Sequence, residues 1–270
     1  MFDQNVKLSA WAKFKALSVD STAKTLLIAV SLCLFCSMIV SGAAVYLKPV
    51  QEANKLLDKK KNVLQVAGLY RPDVDIEQAF AAIEIKIVDL KTGKYTDAVD
   101  AQTYDQKAAA KDSAMSIVLE NDPASIKRQA KYASIYIVPK PDGSIDKIIL
   151  PIHGYGLWST LYGFIALKGD GNEIAGLQFY EQGETPGLGA EVDNPIWKAK
   201  WPGQKVYGDD GNVKITVSKS PKPQGEAGKF HVDALAGATL TSRGVDNLVK
   251  FWMGEQGFKL YLDNLKNGSL

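Results

Sequence analysis

Cysteine and histidine are scarce in this sequence, with two residues of each type among 270. Four such side chains are too few for a Cys/His zinc framework, so no metal site of that kind is expected. After Cys33 and Cys36 the chain has no further cysteine. The remainder therefore needs no disulfide and tolerates an oxidising compartment without proving one.

Net charge is also small. The chain has 32 Lys and Arg residues against 30 Asp and Glu residues, a difference of +2. Residues 1–24 hold four lysines and two aspartates, so residues 25–270 carry 28 bases and 28 acids. A near-neutral chain lacks the basic face of a nucleic-acid binder. The sequence also lacks a G-x-G-x-x-G motif after a strand and a P-loop, so direct NADH binding is not expected.

Long apolar runs are absent except for one, residues 25–47, which contains no charged side chain. At ~1.5 Å per residue it spans roughly 34 Å, enough to cross a membrane. A cleaved signal peptide is the alternative, because residues 41–44 are small. The run is longer than the ~7–15 residues of a signal core, which favours a retained anchor. The basic residues 1–24 are then cytoplasmic and the chain after Lys48 is periplasmic, in a single-pass protein of a bacterial inner membrane.

The same span lacks the ionisable groups of an ion path, so this chain alone is a poor candidate for moving ions. Ser37 and Ser41 have the spacing of a small-xxx-small helix contact. Cys33 and Cys36 form a C-x-x-C sequence, for which apolar packing is favoured over a redox role.

The chain beyond the anchor predicts an α+β fold with a mainly antiparallel sheet and flanking helices. We expect a membrane-proximal region at residues 48–130 and one domain at residues 131–270. Helices are predicted at 51–68 and 76–82, and residues 107–119 and 123–129 are predicted to be helix or loop. Alternating apolar residues and turn signals predict strands at 83–87, 134–139, 145–151, 161–168, 174–180 and 213–219.

Residues 153–163 alternate three glycines with Tyr155, Trp158 and Tyr162. Glycine lets backbone approach a flat ligand closely, and aromatic rings offer faces for stacking. The alternative is a glycine-bent strand that packs its rings in the core.

A second segment, residues 184–189, places two glycines after a proline, in the order Glu184, Thr185, Pro186, Gly187, Leu188, Gly189. Such a loop exposes backbone amides that can hold an anion or lie against a ring system. The alternative is an ordinary surface loop.

A third segment, residues 233–242, places small residues directly before Thr239. A helix follows it, with Thr241 or Ser242 as its expected N-cap and an apolar stripe at Val245, Leu248, Val249 and Trp252. The amides and dipole of that helix would favour a phosphate beside Thr239, and Arg243 adds a cation. The alternative is a threonine in an ordinary capping loop.

Asp233-x-x-Ala236-Gly237-Ala238-Thr239 resembles the flavinylation motif D-x-x-[S/T]-G-A-T. In proteins with this motif the last threonine carries FMN through a phosphoester bond. Ala236 departs from the usual Ser or Thr, although that position is not the attachment residue.

The anchor and the three segments, in this order, are similar to the NqrC family, which supplies one flavoprotein subunit of the Na+-translocating NADH:quinone oxidoreductase. A related subunit of the Rnf electron-transport complex is the alternative. The insertion at residues 48–130 favours the sodium pump.

The resemblance implies an electron-carrying subunit that is inactive alone, with FMN tethered to Thr239, no catalytic residue of its own and no metal. Electrons pass from NADH bound elsewhere, through this flavin, towards ubiquinone. The implied partners are the other subunits, the membrane and a Mg-dependent flavin transferase that uses FAD, and Asp233 positions Thr239 or serves that transferase.

The implied ring contacts are Tyr155, Trp158, Thr185, Gly187, Leu188 and Gly189. The implied phosphate and ribityl contacts are Gly237, Ala238, Leu240, Thr241 and Ser242. His153, His231, Glu181 and Glu184 are interpreted as structural. Two alternatives remain open: non-covalent FMN, because of Ala236, and a colourless assembly module without redox function.

Overall fold

A computed structural model describes residues 12, 14, 15, 18 and 21–270. Most of the predicted basic N-terminus, residues 1–24, therefore lies outside the described residues. The chain divides into two compact units, Met1–Leu56 and Leu57–Leu270.

Helix α1, Thr22–Val66, contains the predicted span and is long and apolar enough to cross a membrane. Its apolar side chains before Leu57 are exposed, as expected of a surface that lipid would cover. The helix predicted at 51–68 is confirmed as far as Val66, and it is continuous with the apolar span through Pro49. A proline removes a single backbone hydrogen bond, and the good helix formers around it sustain the helix.

The second unit is built on a six-stranded sheet, whose strands are β1 (Glu84–Asp89), β2 (Lys94–Tyr95), β5 (Tyr132–Pro139), β6 (Ile145–Tyr155), β7 (Thr160–Lys168) and β8 (Ile174–Glu181). The strand order is β2-β1-β5-β6-β7-β8, and every neighbouring pair is antiparallel. The α+β class is confirmed.

Two smaller sheets pair β3 (Ser116–Val118) with β4 (Arg128–Ala130), and β9 (Thr216–Ser218) with β10 (His231–Asp233). The second pair is parallel. The helices of the unit are α2 (Ile76–Phe80), α3 (Gln106–Lys111), α4 (Pro195–Lys198), α5 (Thr239–Met253) and α6 (Lys259–Lys266), with 3-10 turns at Gly189–Asp193 and Gly225–Phe230.

Several predicted boundaries are wrong. The regions predicted as helix or loop contain β3 and most of β4. Strand β3 was not predicted because Ile117 and Val118 are both exposed and give no alternation. Strand β6 runs four residues past the predicted end, to Tyr155, because Gly154 pairs with Leu161 despite its low strand propensity. The strand predicted at 213–219 is shortened to β9.

Alternate residues of the sheet lie on opposite faces and pack in two hydrophobic clusters. On one face Ile148, Leu150 and Ile152 join the predicted stripe of α5, which is buried at all four positions. On the other face Ile149 packs in a cluster with Val63 and Leu64 of α1. Helix α5 is thereby held against β6, which places its Gly244 beside Tyr155 at the end of that strand.

Candidate functional site

The three unusual segments meet where β6 ends and α5 begins. A Cβ atom on Gly244 of α5 would lie 2.5 Å from the Tyr155 carbonyl oxygen and 2.9 Å from the Gly156 Cα. A Cβ atom on Gly237 would lie 3.1 Å from the Leu188 Cδ2. Glycine at these positions therefore lets the helix start approach both the 153–163 segment and the 184–189 loop.

A single buried carboxylate joins the three segments. Glu184 is 5 % exposed. Its Oε1 accepts hydrogen bonds from the backbone amides of Trp158 at 3.0 Å and Ser159 at 3.1 Å, and the Leu157 amide lies 3.1 Å from the same oxygen. Its Oε2 accepts a 2.6 Å hydrogen bond from the Thr241 hydroxyl. The turn after β6 is thus tied to α5 through one side chain.

The carboxylate is ionised in this setting. Burial raises the pKa of Glu184, but hydrogen bonds from Thr241 and from the amides of residues 157–159 outweigh it, so the pKa lies below its usual value. A buried charge is costly unless donors surround it, and here several donors do. Glu184 is therefore buried and bonded within the domain, in keeping with its interpretation as structural.

Three hydroxyl groups open α5, and only one is available. Thr241 is 1 % exposed and donates to Glu184. Ser242 is 3 % exposed, donates to the Ala238 carbonyl at 2.8 Å and accepts from the Leu235 amide at 2.9 Å. Thr239 is exposed, and its hydroxyl has no hydrogen-bond partner among the described residues.

The predicted N-cap at Thr241 or Ser242 is wrong. Helix α5 begins at Thr239 with Ala238 as its N-cap, and within the described part of the chain no side chain caps it. Both expected capping hydroxyls point instead into the domain. The amides of the first turn are therefore left for an external acceptor, with the positive end of the helix dipole behind them.

Large apolar side chains are exposed around this helix start. The exposed fractions are 44 % for Tyr155, 67 % for Trp158, 46 % for Leu188 and 51 % for Leu240. The Tyr155 hydroxyl donates to the Trp158 carbonyl at 3.3 Å, which holds the aromatic turn together. These residues form an apolar and aromatic surface beside an exposed threonine.

The 184–189 loop divides into exposed and buried parts. Thr185 and Gly187 are exposed, and Gly187 has φ +75°, a conformation that glycine adopts at little cost. Gly189 is buried, and a Cβ atom there would lie 2.6 Å from the Thr241 hydroxyl and 2.7 Å from the Glu184 Oε2. Gly189 therefore gives the carboxylate room.

Asp233 ends β10 in an ionic cluster. Lys200 donates to its Oδ2 at 2.8 Å, and the His231 ring lies 3.2 Å from its Oδ1. The hydrogen bond from Lys200 holds the pKa of Asp233 below its usual value, against the opposing effect of burial. The Trp197 indole donates to the Asp233 carbonyl at 2.8 Å. Ala236, the departure from the motif, is exposed.

His153 packs within aromatic neighbours rather than facing the helix start. It stacks on Tyr162 with ring centroids 5.3 Å apart and contacts Trp252 at 5.0 Å. Burial, aided by the positive charge of Lys107 and opposed by Asp122, lowers the pKa of His153 to about 4. A neutral packing histidine agrees with the structural interpretation.

Sequence reasoning missed two residues, Glu184 as a buried junction and Lys200 as the partner of Asp233. A weak signal for Glu184 was its place at the head of the Thr-Pro-Gly-Leu-Gly run, where an isolated acid precedes residues that favour close packing. No pattern in the sequence indicated Lys200, because it lies in the turn after α4, 33 residues before Asp233.

The arrangement suits FMN. A phosphate can accept from the uncapped first turn of α5, next to the one exposed hydroxyl, and Arg243 is exposed in the same turn. A flat ring can lie on the exposed aromatic and apolar side chains, and Gly187 lets backbone approach it. The residues present therefore fit a phosphorylated aromatic cofactor.

Comparison with known proteins agrees with this geometry. The model of the FMN-binding domain family matches residues 156–254. The chain is 51% identical over 256 residues to the NqrC subunit of the Na(+)-translocating NADH-quinone reductase of Pseudomonas aeruginosa, covering 92% of this chain and 98% of that protein. It is 46% identical to the protein of the same name from Vibrio alginolyticus, covering 93% and 98%.

A solved structure has the same fold. The crystal structure of Shewanella oneidensis NqrC superimposes with a TM-score of 0.74 at 32% identity, covering 79% of this chain and 99% of that chain.

Proposed function

The chain belongs to the NqrC family of the Na+-translocating NADH-quinone reductases, and we propose on that premise that it carries FMN and relays electrons from NADH towards ubiquinone. The FMN supplies reversible redox chemistry, and the chain supplies binding, orientation and electrostatics. The family favours this function over the Rnf alternative and over a non-redox assembly module. The chain is one subunit of an oxidoreductase complex and depends on the other subunits for turnover.

Thr239 is the proposed covalent attachment residue. The observation that carries this proposal is that Thr239 alone, of the three hydroxyl residues opening α5, is exposed and unbonded, whereas Thr241 and Ser242 are buried and engaged. A transferase needs access to its acceptor, and an acceptor oxygen that already donates within the core is not accessible. The exposure and hydrogen bonding of these three residues therefore support the threonine that the motif indicates.

Attachment joins the Thr239 oxygen to the phosphorus of FMN. With FAD as donor, the pyrophosphate bond breaks, AMP leaves and the threonine hydroxyl proton is lost to the transferase or solvent. No oxidant or reductant is consumed. Asp233, ionised and half exposed beside Lys200, is available to position the Thr239 segment or to contact a Mg-dependent transferase.

Tyr155, Trp158, Thr185, Gly187 and Leu188 line the proposed ring surface, with Gly189 behind them. Gly237, Ala238, Leu240, Thr241 and Ser242 form the proposed phosphate and ribityl side. With its hydroxyl engaged, Thr241 has its backbone amide for that purpose, whereas the Ser242 amide already donates to the Ala238 carbonyl at 2.9 Å.

The proposed orientation places the basic N-terminus in the cytoplasm and the Leu57–Leu270 unit in the periplasm. A covalent tether suits that side of the membrane, where a dissociated flavin would be lost. NADH binds another subunit in this proposal.

Intact mass spectrometry of the denatured full-length protein tests the attachment. The protein is produced with a flavin transferase, and Thr239→Ala and Thr239→Ser are run beside it. We expect a gain of one FMN less one water in the wild type, no gain in Thr239→Ala, and a gain in Thr239→Ser if the hydroxyl alone suffices.

Thr241→Ala tests the rival acceptor, because it removes the neighbouring hydroxyl that is buried. A mass gain that persists in Thr239→Ala and disappears in Thr241→Ala would overturn the assignment. No gain in the wild type, with a transferase proven active on another substrate, would refute covalent attachment. Yellow protein that loses its colour on denaturation would then indicate non-covalent FMN, and colourless protein an assembly module.

A further inference from the structure

Glu184 is the buried charge that flavin attachment leaves unexplained. It touches neither Thr239 nor Asp233 in the hydrogen-bond network of the described residues, yet it accepts from three backbone amides and from the hydroxyls of Thr241 and Ser159. A side chain needed only to fill space would be apolar, because burying a carboxylate is costly without such donors.

The carboxylate contacts two elements, and only the Leu157 amide lies close to both of its oxygens, at 3.1 Å and 3.2 Å. Oε1 lies against the Leu157–Ser159 turn, which bears the exposed Trp158 ring, whereas Oε2 lies against Thr241 in the first turn of α5. Hydrogen bonds to an ionised acceptor are about twice as strong as neutral ones. The side chain therefore fixes the distance between the aromatic turn and the helix start.

Glycines on both sides leave room for the carboxylate. A Cβ atom on Gly156 would lie 2.7 Å from Oε1, and one on Gly189 would lie 2.7 Å from Oε2. Side chains at these positions would crowd the carboxylate, and turning it outward would break its hydrogen bonds to the Trp158 and Ser159 amides and to Thr241.

We propose that Glu184 positions the flavin site by joining the Leu157–Ser159 turn to Thr241, and that its negative charge lowers the reduction potential of the flavin held there. This inference rests on the proposed function. Reduction adds electrons to the flavin, and a fixed negative charge nearby disfavours that addition. Because the charge is buried, salt and water screen it less than they screen a surface charge.

Glu184→Gln tests the electrostatic part, because it keeps the size and one carbonyl oxygen and removes the charge. The midpoint potential of the attached flavin is measured by spectroelectrochemistry in the full-length protein. We expect a more positive potential, seen as a several-fold larger reduced fraction at a fixed applied potential. Glu181→Gln is the matched control, because Glu181 is exposed and paired with Lys107, and its potential should stay unchanged.

An unchanged potential in flavin-loaded Glu184→Gln would overturn the electrostatic inference. An equal shift in Glu181→Gln would do so as well, because a general charge effect would then explain it.

Unfolding of the unloaded full-length protein in urea tests the joining role without flavin. Glu184→Gln and Thr241→Val are compared with the double variant, and Thr241→Ser restores the hydroxyl. If the bond joins the two elements, the double variant loses less stability than the two single variants lose together. The difference should correspond to a factor on the order of tenfold in the unfolding equilibrium constant. Thr241→Ser should behave more like the wild type than Thr241→Val does.

Additive losses would overturn the joining role. A wild type without flavin would refute the proposed function, while the urea comparison would still decide whether Glu184 joins the turn to the helix. The same comparison decides the joining role if Glu184→Gln fails to take up flavin.

Discussion

Replacement of Gly244 by alanine will destabilise the domain, because α5 lies directly against the end of β6. The added Cβ atom would be 2.5 Å from the Tyr155 carbonyl oxygen, 2.9 Å from the Gly156 Cα and 3.1 Å from the Gly156 carbonyl oxygen. These are backbone atoms at the end of a paired strand, so no side-chain rotation relieves the crowding. The helix must shift, and Thr239 shifts with it.

Two opposing effects set the size of the loss. Alanine is preferred over glycine in a helix by about 1 kcal/mol. Overpacking costs about 1–3 kcal/mol, and contact with backbone places Gly244 at the upper end of that range. The expected net loss is about 1–2 kcal/mol, which lowers the melting temperature of a domain of this size by roughly 2–8 °C.

Thermal unfolding of the full-length protein in detergent, followed by circular dichroism, measures the effect. Asn247→Ala is the control, because Asn247 lies one turn further along the same helix and is half-buried. It should change stability by no more than about 0.5 kcal/mol. A higher melting temperature for Gly244→Ala, as an uncrowded helical glycine would give, would refute the reasoning.

Three further results are expected. Ser242→Ala should cost about 1–3 kcal/mol in urea unfolding, because it leaves the buried Leu235 amide without its acceptor, and a negligible loss would contradict this. Trp158→Ala should alter the emission of the attached flavin while changing stability by under about 0.5 kcal/mol, since its ring is 67 % exposed; unaltered emission removes Trp158 from the ring surface. His153 has a pKa of about 4 in the folded state against 6.5 ordinarily, so the unfolded state binds its proton first and stability falls as pH drops from 6.5 to 4, by up to about 3 kcal/mol. The His153→Phe variant should lack this loss, so its stability profile should be flatter than that of the wild type between pH 6.5 and pH 4, and parallel profiles would contradict the prediction.

Much of the fold was accessible from local pattern. The apolar span at 25–47 and the short apolar runs of β5, β7 and β8, bounded by turn signals, each lie in consecutive residues, so local pattern alone indicated them. The failures share one cause: both strands are set by pairing with another strand and not by the pattern of their own residues. Strand β3 has no buried alternation, and β6 continues through a glycine only because Leu161 pairs with it.

The sequence by itself determined the anchor, the α+β class and the motif that ends at Thr239, because each is written in neighbouring residues. Only the tertiary structure decided which hydroxyl is available, since Thr241 is engaged by Glu184, 57 residues earlier. It likewise decided that Lys200 holds Asp233, 33 residues later. Hydrogen bonds over such separations depend on how the sheet brings its ends together, and no local periodicity records them.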